Sequence, residues 1–355
     1  MIERSKRLVY LDWMRGLAVL VMLQGHVMDG WVRPEDRSSE WFWLSQSLGG
    51  LPAPIFLFLV GVSLALVLDR MRSTGASSAQ LAGRVIRRGM WILVLAYAFR
   101  IEQFLMWYPA APLSDLLRID TLNCISICTL LIGLYSVAFK TRRTNIAAMG
   151  ITTAVFVFIT PWVYPLRPPV SSLVLSYLNG SGHPWYFSFV PWAAFTLAGI
   201  TFGYALLEAT DRIGDAKFFQ GVAVSGVAAY GAGMAMSFFP VFEYGFFDYS
   251  LTSPHFFLIR LGLVLLILYG AYKWSTRAGV RGWSPLIVLG QASLLIYWVH
   301  IEVVYGRPFH DFAQALDLSD AVTHLFWVVP LMVCLAAARR IHRTWTKPAI
   351  ETARA

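Results

Sequence analysis

The chain has 355 residues, of which 57% are apolar and only 14% are charged, whereas about 25% of residues are charged in a typical soluble domain. Its net charge of +9 does not indicate a nucleic-acid partner, because the lysines and arginines stand in short loops between apolar runs, where they set membrane orientation. Several apolar runs of about 20 residues are each long enough to cross a bilayer. The composition therefore predicts an all-α polytopic membrane protein with a single integral-membrane domain over residues 1–355.

The apolar runs predict about ten transmembrane helices. They lie near residues 8–28, 52–70, 87–109, 117–138, 144–165, 186–207, 218–239, 255–274, 284–304 and 321–340. The two termini and the alternate loops on their side of the membrane hold 21 lysines and arginines, whereas the five intervening loops hold 5. Because cytoplasmic loops are enriched in these residues, both termini are predicted to be cytoplasmic. The three cysteines lie inside apolar runs and form neither a disulfide framework nor a metal-binding spacing.

The first span carries three ionisable side chains, Asp12, Arg15 and His26. On a helix that turns 100° per residue, Asp12 and Arg15 lie within about 40° of the direction of His26, and His26 is about 16 Å from Arg15 along the axis. A charge at the middle of a bilayer costs about 3 kcal/mol or more, so this stripe should face the protein interior or a wet cavity. The alternative is an Asp12–Arg15 pair that locks helix packing, with His26 hydrogen-bonded at the interface.

Further polar groups collect at the outer ends of the third, fourth, eighth and ninth spans. These candidate substrate-binding or catalytic residues are Arg100, Glu102, Asp120, Arg260, Tyr297 and His300. Tyr297 and His300 are three residues apart, so they share one helix face. The pattern predicts an interior polar cavity that opens outward, and the alternative is that some of these groups snorkel to the headgroups. Most tryptophans should form an interfacial belt, and Trp185, in the loop 166–185, is our candidate for stacking on a sugar ring.

Blocks along most of the chain resemble the bacterial relatives of heparan-alpha-glucosaminide N-acetyltransferase. They read "RLVYLDWMRGLAVLVMLQGHVMDGW", "LGGLPAPIFLFLVGVSLAL", "RIDTLNCISICTLL", "FVPWAAFTLAGITFGYAL" and "LGQASLLIYWVH". The resemblance implies membership of the wider transmembrane acyltransferase superfamily and a place in the bacterial cytoplasmic membrane. It implies transfer of an acetyl group from cytoplasmic acetyl-CoA to a sugar on the far side of the membrane.

The resemblance also implies a catalytic histidine. The spacing of Arg15 and His26, with ten residues between them, is similar to the Arg–x10–His element of membrane acyltransferases that O-acylate bacterial surface polysaccharides, in which the histidine is essential. The proposed catalytic histidine of the lysosomal enzyme lies in its first luminal loop, but the loop 29–51 of this chain contains no histidine. His26 is therefore the better candidate here, either as a general base or as a brief acyl-imidazole carrier.

The other predicted roles depend on this hypothesis. His300 and Asp120 are further catalytic candidates; Asp120 would orient a histidine or bind sugar hydroxyls, and Arg100 or Arg260 would stabilise an oxyanion. Acetyl-CoA is the expected co-substrate, and no metal cofactor is expected. Three arginines at the inner end of the third span would bind the phosphates of acetyl-CoA: Arg84, Arg87 and Arg88. They are equally well explained as the positive charges of a cytoplasmic loop. The expected partners are acetyl-CoA, a glycan or amino-sugar acceptor, the lipid bilayer and a second copy of the chain in a homodimer.

Two other classes of function compete with the acyltransferase. A transporter or permease for a small polar solute would also bury charged groups in its spans, but the sequence shows neither an inverted repeat nor paired broken helices. A membrane scaffold without chemistry would leave the outer collection of histidine, arginine and aspartate without a purpose. We therefore favour an acetyl-CoA-dependent transmembrane acyltransferase and keep the transporter as the alternative.

Overall fold

The structure, a computed structural model, describes residues 8–163, 166, 169–180, 187–238, 252–277 and 283–352. Within these ranges the chain forms thirteen α-helices and no strand. The helices are α1 (Val9–Trp31), α2 (Glu40–Gly49), α3 (Pro52–Ser73), α4 (Ser78–Trp107), α5 (Thr121–Val137), α6 (Arg142–Val163), α7 (Ser172–Asn179), α8 (Phe189–Ile213), α9 (Asp215–Ser237), α10 (Pro254–Arg277), α11 (Pro285–Gln291), α12 (Ser293–Tyr305) and α13 (Leu318–Thr352). Short 3-10 helices cover Pro34–Ser38, Leu113–Leu117 and Arg307–Phe312. The prediction of an all-α polytopic membrane protein is confirmed.

The described residues contain eight helical stretches that are long and apolar enough to cross a membrane, and α11 with α12 makes a ninth if the pair counts as one span. The first predicted span corresponds to α1, which has 23 residues but is not among the eight. Its hydropathy is lowered by the same ionisable residues that the sequence analysis assigned to the protein interior. Buried residues occur along the whole length of α1, from Tyr10 to Trp31.

The ninth predicted span, 284–304, is not one straight helix. It consists of α11 and α12, which meet at an angle of 90°. Ala292, between them, has the non-helical dihedral angles φ −106° and ψ 9°. Its N–H still donates to the carbonyls of Val288 and Leu289, at 3.1 Å each, and its own carbonyl accepts from the N–H of Ile296 at 3.0 Å. The backbone groups at the bend therefore remain paired, as a low-dielectric membrane interior requires.

The chain divides into two compact units. Unit 1 comprises Met1–Pro52 and Gly270–Ala355, and unit 2 comprises Ala53–Tyr269. Unit 1 thus contains α1, α2, α11, α12 and α13 together with the end of α10. Unit 2 contains α4 to α9, nearly all of α3 and the larger part of α10. That both units act as one acyltransferase-like domain stays a prediction.

In unit 1, glycines allow the backbone of α1 to lie directly against α11. A Cβ at Gly16 would lie 1.8 Å from the carbonyl oxygen of Leu286, and a Cβ at Gly290 would lie 2.0 Å from the carbonyl oxygen of Asp12. No other residue fits at such a distance, and small residues are the usual means of close helix approach in membranes. Gly16 and Gly290 are therefore helix-packing residues.

In unit 2, Arg142 joins three helices. Its guanidinium donates two hydrogen bonds to Asp69 at the end of α3, at 2.6 and 2.8 Å. It also donates to the Asp211 carboxylate at 2.9 Å and to the Leu207 carbonyl at 3.2 Å, both in α8. The charge count treated Arg142 only as an orientation signal, but its paired bonds to Asp69 make it a structural clamp at this end of the helices.

Candidate functional site

The main candidate site is a pair of histidines in unit 1. Nδ1 of His26, in α1, lies 2.8 Å from Nε2 of His300, in α12. The two rings are nearly parallel, with an interplanar angle of 11° and centroids 5.0 Å apart. His300 is fully buried, whereas His26 is partly exposed. The two histidines that the sequence analysis singled out separately are therefore direct neighbours.

Tyrosines and a backbone carbonyl surround this pair. Nδ1 of His300 lies 2.8 Å from the carbonyl oxygen of Ile296, one turn earlier in α12. The ring of Tyr297 packs edge-on against His300, with centroids 5.8 Å apart. The ring of Tyr305 packs in the same way against His26, at 5.7 Å. Tyr297 and His300 thus share a helix face, as their spacing predicted.

A carboxylate near His26 was missed by the sequence analysis. Asp29 lies one turn after His26 in α1 and is exposed. It accepts a hydrogen bond from the Tyr305 hydroxyl at 3.0 Å, and its Oδ1 lies 3.7 Å from Nη1 of Arg37. The spacing of three residues from His26 was an available signal, because residues three apart are neighbours on a helix.

Hydrogen bonds join the end of α1 to α12 and to the segment that follows it, and so stabilise the placement of His26 beside His300. The N–H of Gln314 donates to the Gly30 carbonyl at 2.9 Å, and the N–H of Leu316 donates to the Trp31 carbonyl at 3.0 Å. The indole N–H of Trp31 donates to the carbonyl of Val304 at 2.9 Å. These bonds connect the end of α1 both to α12 and to the segment that follows it.

Asp12 and Arg15 lie far from the histidines on the same helix. Arg15 Nη1 is 3.5 Å from Asp12 Oδ1, and the two side chains are 27% and 7% exposed, respectively. Because α1 is continuous, eleven residues separate Arg15 from His26 by about 16 Å along the axis. The packing-pair interpretation agrees with this contact, and a role for Asp12 and Arg15 in substrate binding stays a prediction.

Unit 2 contains a second cluster of candidates, built on Arg100 and Asp120. Arg100 Nη2 lies 2.9 Å from Asp120 Oδ2, and both side chains are largely buried. The Arg100 guanidinium and Asp120 Oδ2 are close together but are not aligned as a hydrogen bond. Arg100 Nε also has no hydrogen-bond partner among the described residues. The attraction between the two side chains is therefore mainly between their charges. The guanidinium also lies over the Phe99 ring, 5.1 Å from its centroid.

Asp120 also caps the start of α5. Its Oδ1 accepts from the N–H of Leu122 at 3.1 Å, while the Asn123 side chain accepts from the N–H of Asp120 at 3.3 Å, which forms a capping box. Asn123 in turn donates to the Tyr177 hydroxyl at 2.9 Å, and that hydroxyl is 2.8 Å from the hydroxyl of Tyr97. The paired histidines belong to unit 1, so the role of Asp120 as a partner of a catalytic histidine stays a prediction.

The remaining candidates for acceptor binding are not brought into one cluster by their described contacts. Glu102 is two residues from Arg100 in α4, so the two side chains do not share a helix face. Arg260, in α10, is half-buried and lies over the ring of Phe256, 5.5 Å from its centroid. Trp185 lies outside the described residues.

The arginines proposed for the donor phosphates lie at the start of α4 in unit 2. Arg84 and Arg87 line an open groove of about 630 Å³ between the end of α3 and the first turns of α4. Gly83, next to Arg84 in this lining, has no neighbouring atom within 4 Å of the position that a Cβ would occupy. Arg84 and Arg87 are exposed, whereas Arg88 is half-buried and does not line the groove. The three arginines therefore divide into two that line the groove and one that does not.

A family model described as heparan-alpha-glucosaminide N-acetyltransferase, catalytic, matches residues 7–243, which is more than half of the chain. The chain belongs to this family. Membership identifies it as a membrane-embedded acetyltransferase, in agreement with the resemblance of its sequence blocks. No curated protein matches the chain.

The part matched to the N-acetyltransferase family contains one member of the histidine pair. His26 and the α3–α4 groove lie inside residues 7–243, whereas Tyr297 and His300 lie beyond the end of the match. Within the described residues, no cluster of three or more His, Cys, Asp or Glu side chains is arranged to hold a metal ion.

Proposed function

We propose that this member of the N-acetyltransferase family moves an acetyl group from acetyl-CoA on the cytoplasmic side to a sugar or amino sugar on the outer side of the membrane. The observation that carries the proposal is the contact between His26 and His300. His26 is a partly exposed imidazole in α1, which the family match includes, and His300 is its buried partner. Imidazole is the side chain best suited to move a proton near neutral pH.

The proposed reaction balances with His26 as the proton carrier. The amine or hydroxyl of the acceptor attacks the thioester carbonyl carbon, the new N–C or O–C bond forms, and the C–S bond breaks. His26 takes the proton of the attacking group and returns it to the departing CoA thiolate, so the products are the acetylated sugar and CoA thiol. In the two-step alternative, His26 itself attacks the thioester carbonyl carbon and the C–S bond breaks to release the thiolate. The acceptor then attacks the acetyl-imidazole, the N–C bond to His26 breaks, and the proton of the acceptor passes through the freed imidazole to the thiolate.

Donor binding is proposed separately, at the α3–α4 groove of unit 2. Acetyl-CoA carries several phosphates, and arginine binds phosphate through charge-assisted and often paired hydrogen bonds. Arg84 and Arg87 share one face of α4 and both line the groove. The charge count predicts that this end of the two helices is cytoplasmic, which is the side on which acetyl-CoA is available.

The Arg84→Ala/Arg87→Ala double variant is expected to bind CoA at least about 10-fold more weakly than the parent, because each lost charged hydrogen bond is worth roughly 1.5–3 kcal/mol. The measurement is the rise in melting temperature of the purified protein as CoA is added, since a ligand of the folded state stabilises it. Arg70→Ala is the matched control, because Arg70 is an exposed arginine at the end of α3 that does not line the groove. Equal CoA affinity in the parent and the double variant would contradict this donor site.

The transporter alternative is favoured by one feature, the 90° bend between α11 and α12. Discontinuous helices form the substrate sites of many transporters, usually as a pair in two related halves of the chain. The described helices include one such strongly bent pair. The bend also has a use in the acetyltransferase proposal, since α12 is the helix that bears His300.

The two functions differ in what happens to the acceptor. Proteoliposomes loaded with candidate sugars and amino sugars, and supplied outside with acetyl-labelled acetyl-CoA, should accumulate label covalently attached to the enclosed sugar. Protein-free liposomes measure the leak. Movement of unmodified sugar across the bilayer without covalent label would contradict the acetyltransferase proposal and support the transporter.

A further inference from the structure

We propose that His300 is a positioning residue that fixes the tautomer of His26, and that Nε2 of His26 is the nitrogen that reacts. This inference rests on the proposed function, because it assigns separate roles to the two histidines of that site. On its other side, His300 contacts the carbonyl oxygen of Ile296.

The contact with Ile296 determines where His300 carries its proton. A carbonyl oxygen can only accept a hydrogen bond, so Nδ1 of His300, at 2.8 Å from this oxygen, must be the N–H donor. A neutral imidazole has one donor nitrogen and one acceptor nitrogen. Nε2 of neutral His300 therefore bears a lone pair and accepts a hydrogen bond.

The proton position of His26 follows from that of His300. Nδ1 of His26 lies 2.8 Å from Nε2 of His300, so it must donate its proton to that lone pair. Nε2 of neutral His26 is then left without a proton. In the described part of the chain no hydrogen-bond partner reaches this nitrogen, which leaves its lone pair available to a reactant.

The opposite tautomer of His26 would be unfavourable at this position. It would set two lone pairs against each other at 2.8 Å, or it would force His300 to give up its bond to the Ile296 carbonyl. His300 is fully buried, so no water replaces a lost bond, and unpaired buried polar groups are costly.

The two histidines consequently differ in what they can do. His300 has both ring nitrogens engaged and no exposed surface, so it cannot accept an acetyl group or contact an acceptor without breaking the pair. His26 has one engaged nitrogen and one available nitrogen. This division of roles follows the logic by which a buried partner holds a catalytic histidine in its reactive tautomer.

The direct test is nitrogen NMR of the purified protein with ¹⁵N-labelled histidine, since protonated and unprotonated imidazole nitrogens give separate signals. The spectrum of His26→Gln, which loses the His26 signals, assigns them. We expect His26 in the parent to be protonated at Nδ1 and unprotonated at Nε2. Protonation at Nε2 instead would overturn the inference, whether or not the protein transfers acetyl groups.

Two variants of His300 separate positioning from simple packing. His300→Leu keeps a similar volume but removes the acceptor, so His26 should populate both tautomers and kcat should fall about 10-fold or more, with an unchanged KM for acetyl-CoA. His300→Gln offers a side-chain carbonyl to the N–H of His26 and should restore most of the Nδ1-protonated signal and of kcat. An unchanged kcat in His300→Leu, or equal losses in both variants, would overturn the positioning role.

These readouts distinguish failure of the inference from failure of the proposed function. If the parent shows the expected tautomer but labels no sugar, the proposed function fails while the assignment of protons in the pair stands. If the parent transfers acetyl groups with His26 protonated at Nε2, the function stands and the role of His300 is overturned.

Discussion

The His26→Ala variant is expected to transfer acetyl groups at least about 100-fold more slowly than the parent, because positioned proton transfer contributes roughly 10²–10⁴-fold in rate. The loss should appear in kcat, measured with saturating acetyl-CoA, since donor binding is proposed to depend on arginines in unit 2. The variant should still fold, with a loss of about 1–3 kcal/mol of stability. His26 is partly exposed, and its removal leaves only the acceptor nitrogen of His300 without its partner.

Gln24→Ala is the matched control for this prediction. Gln24 lies on the same helix, is also partly exposed and points about 160° away from His26 around the axis. It should retain the activity of the parent. Near-normal turnover in His26→Ala, with the expected stabilisation by CoA, would remove His26 from the reaction in both its general-base and its acyl-carrier form.

The Gly16→Ala substitution is expected to destabilise the protein by about 3 kcal/mol or more. Overpacking usually costs about 1–3 kcal/mol when side chains can adjust, but the atom that obstructs the new Cβ here is the backbone carbonyl of Leu286, 1.8 Å away. α1 and α11 would have to separate. The measurement is the melting temperature in detergent, with recovery of monodisperse protein as a second readout.

The same substitution at an open position serves as the control. Gly231, inside α9, has no atom within 4 Å of the position of its Cβ. Gly231→Ala should therefore be neutral or should stabilise the helix by up to about 1 kcal/mol, the difference in helix propensity between the two residues. If Gly16→Ala melts at the temperature of Gly231→Ala, the close contact of α1 with α11 is wrong.

The fold class was predictable from the sequence because hydropathy reports the length and polarity of a segment. It does not report direction, so the span 284–304 was predicted as one helix although α11 and α12 meet at 90°. Nothing in the apolar run identifies Ala292 as the point of bending. The adjacent Gly290 packs its backbone against the carbonyl of Asp12, and such a tertiary contact has no signal in local hydropathy.

The candidate site was predictable residue by residue but not as a pair. Helical periodicity placed His300 beside Tyr297 because both lie on one helix. It could not relate His300 to His26, since 274 residues separate them in the chain. The ion pair of Arg100 with Asp120 was missed for the same reason, because Arg100 lies in α4 whereas Asp120 caps the start of α5.

The division of unit 1 between the two ends of the chain has a consequence for biosynthesis. At about 5–20 residues per second, the ribosome needs on the order of 10 to 60 seconds to synthesise the 274 residues from His26 to His300. During that time the nascent α1 has neither α11 nor α12 to pack against. Asp12 and Arg15, three residues apart, need no later segment to pair with each other. Their local ion pair neutralises both charges as soon as α1 forms, before α11 and α12 have been synthesised.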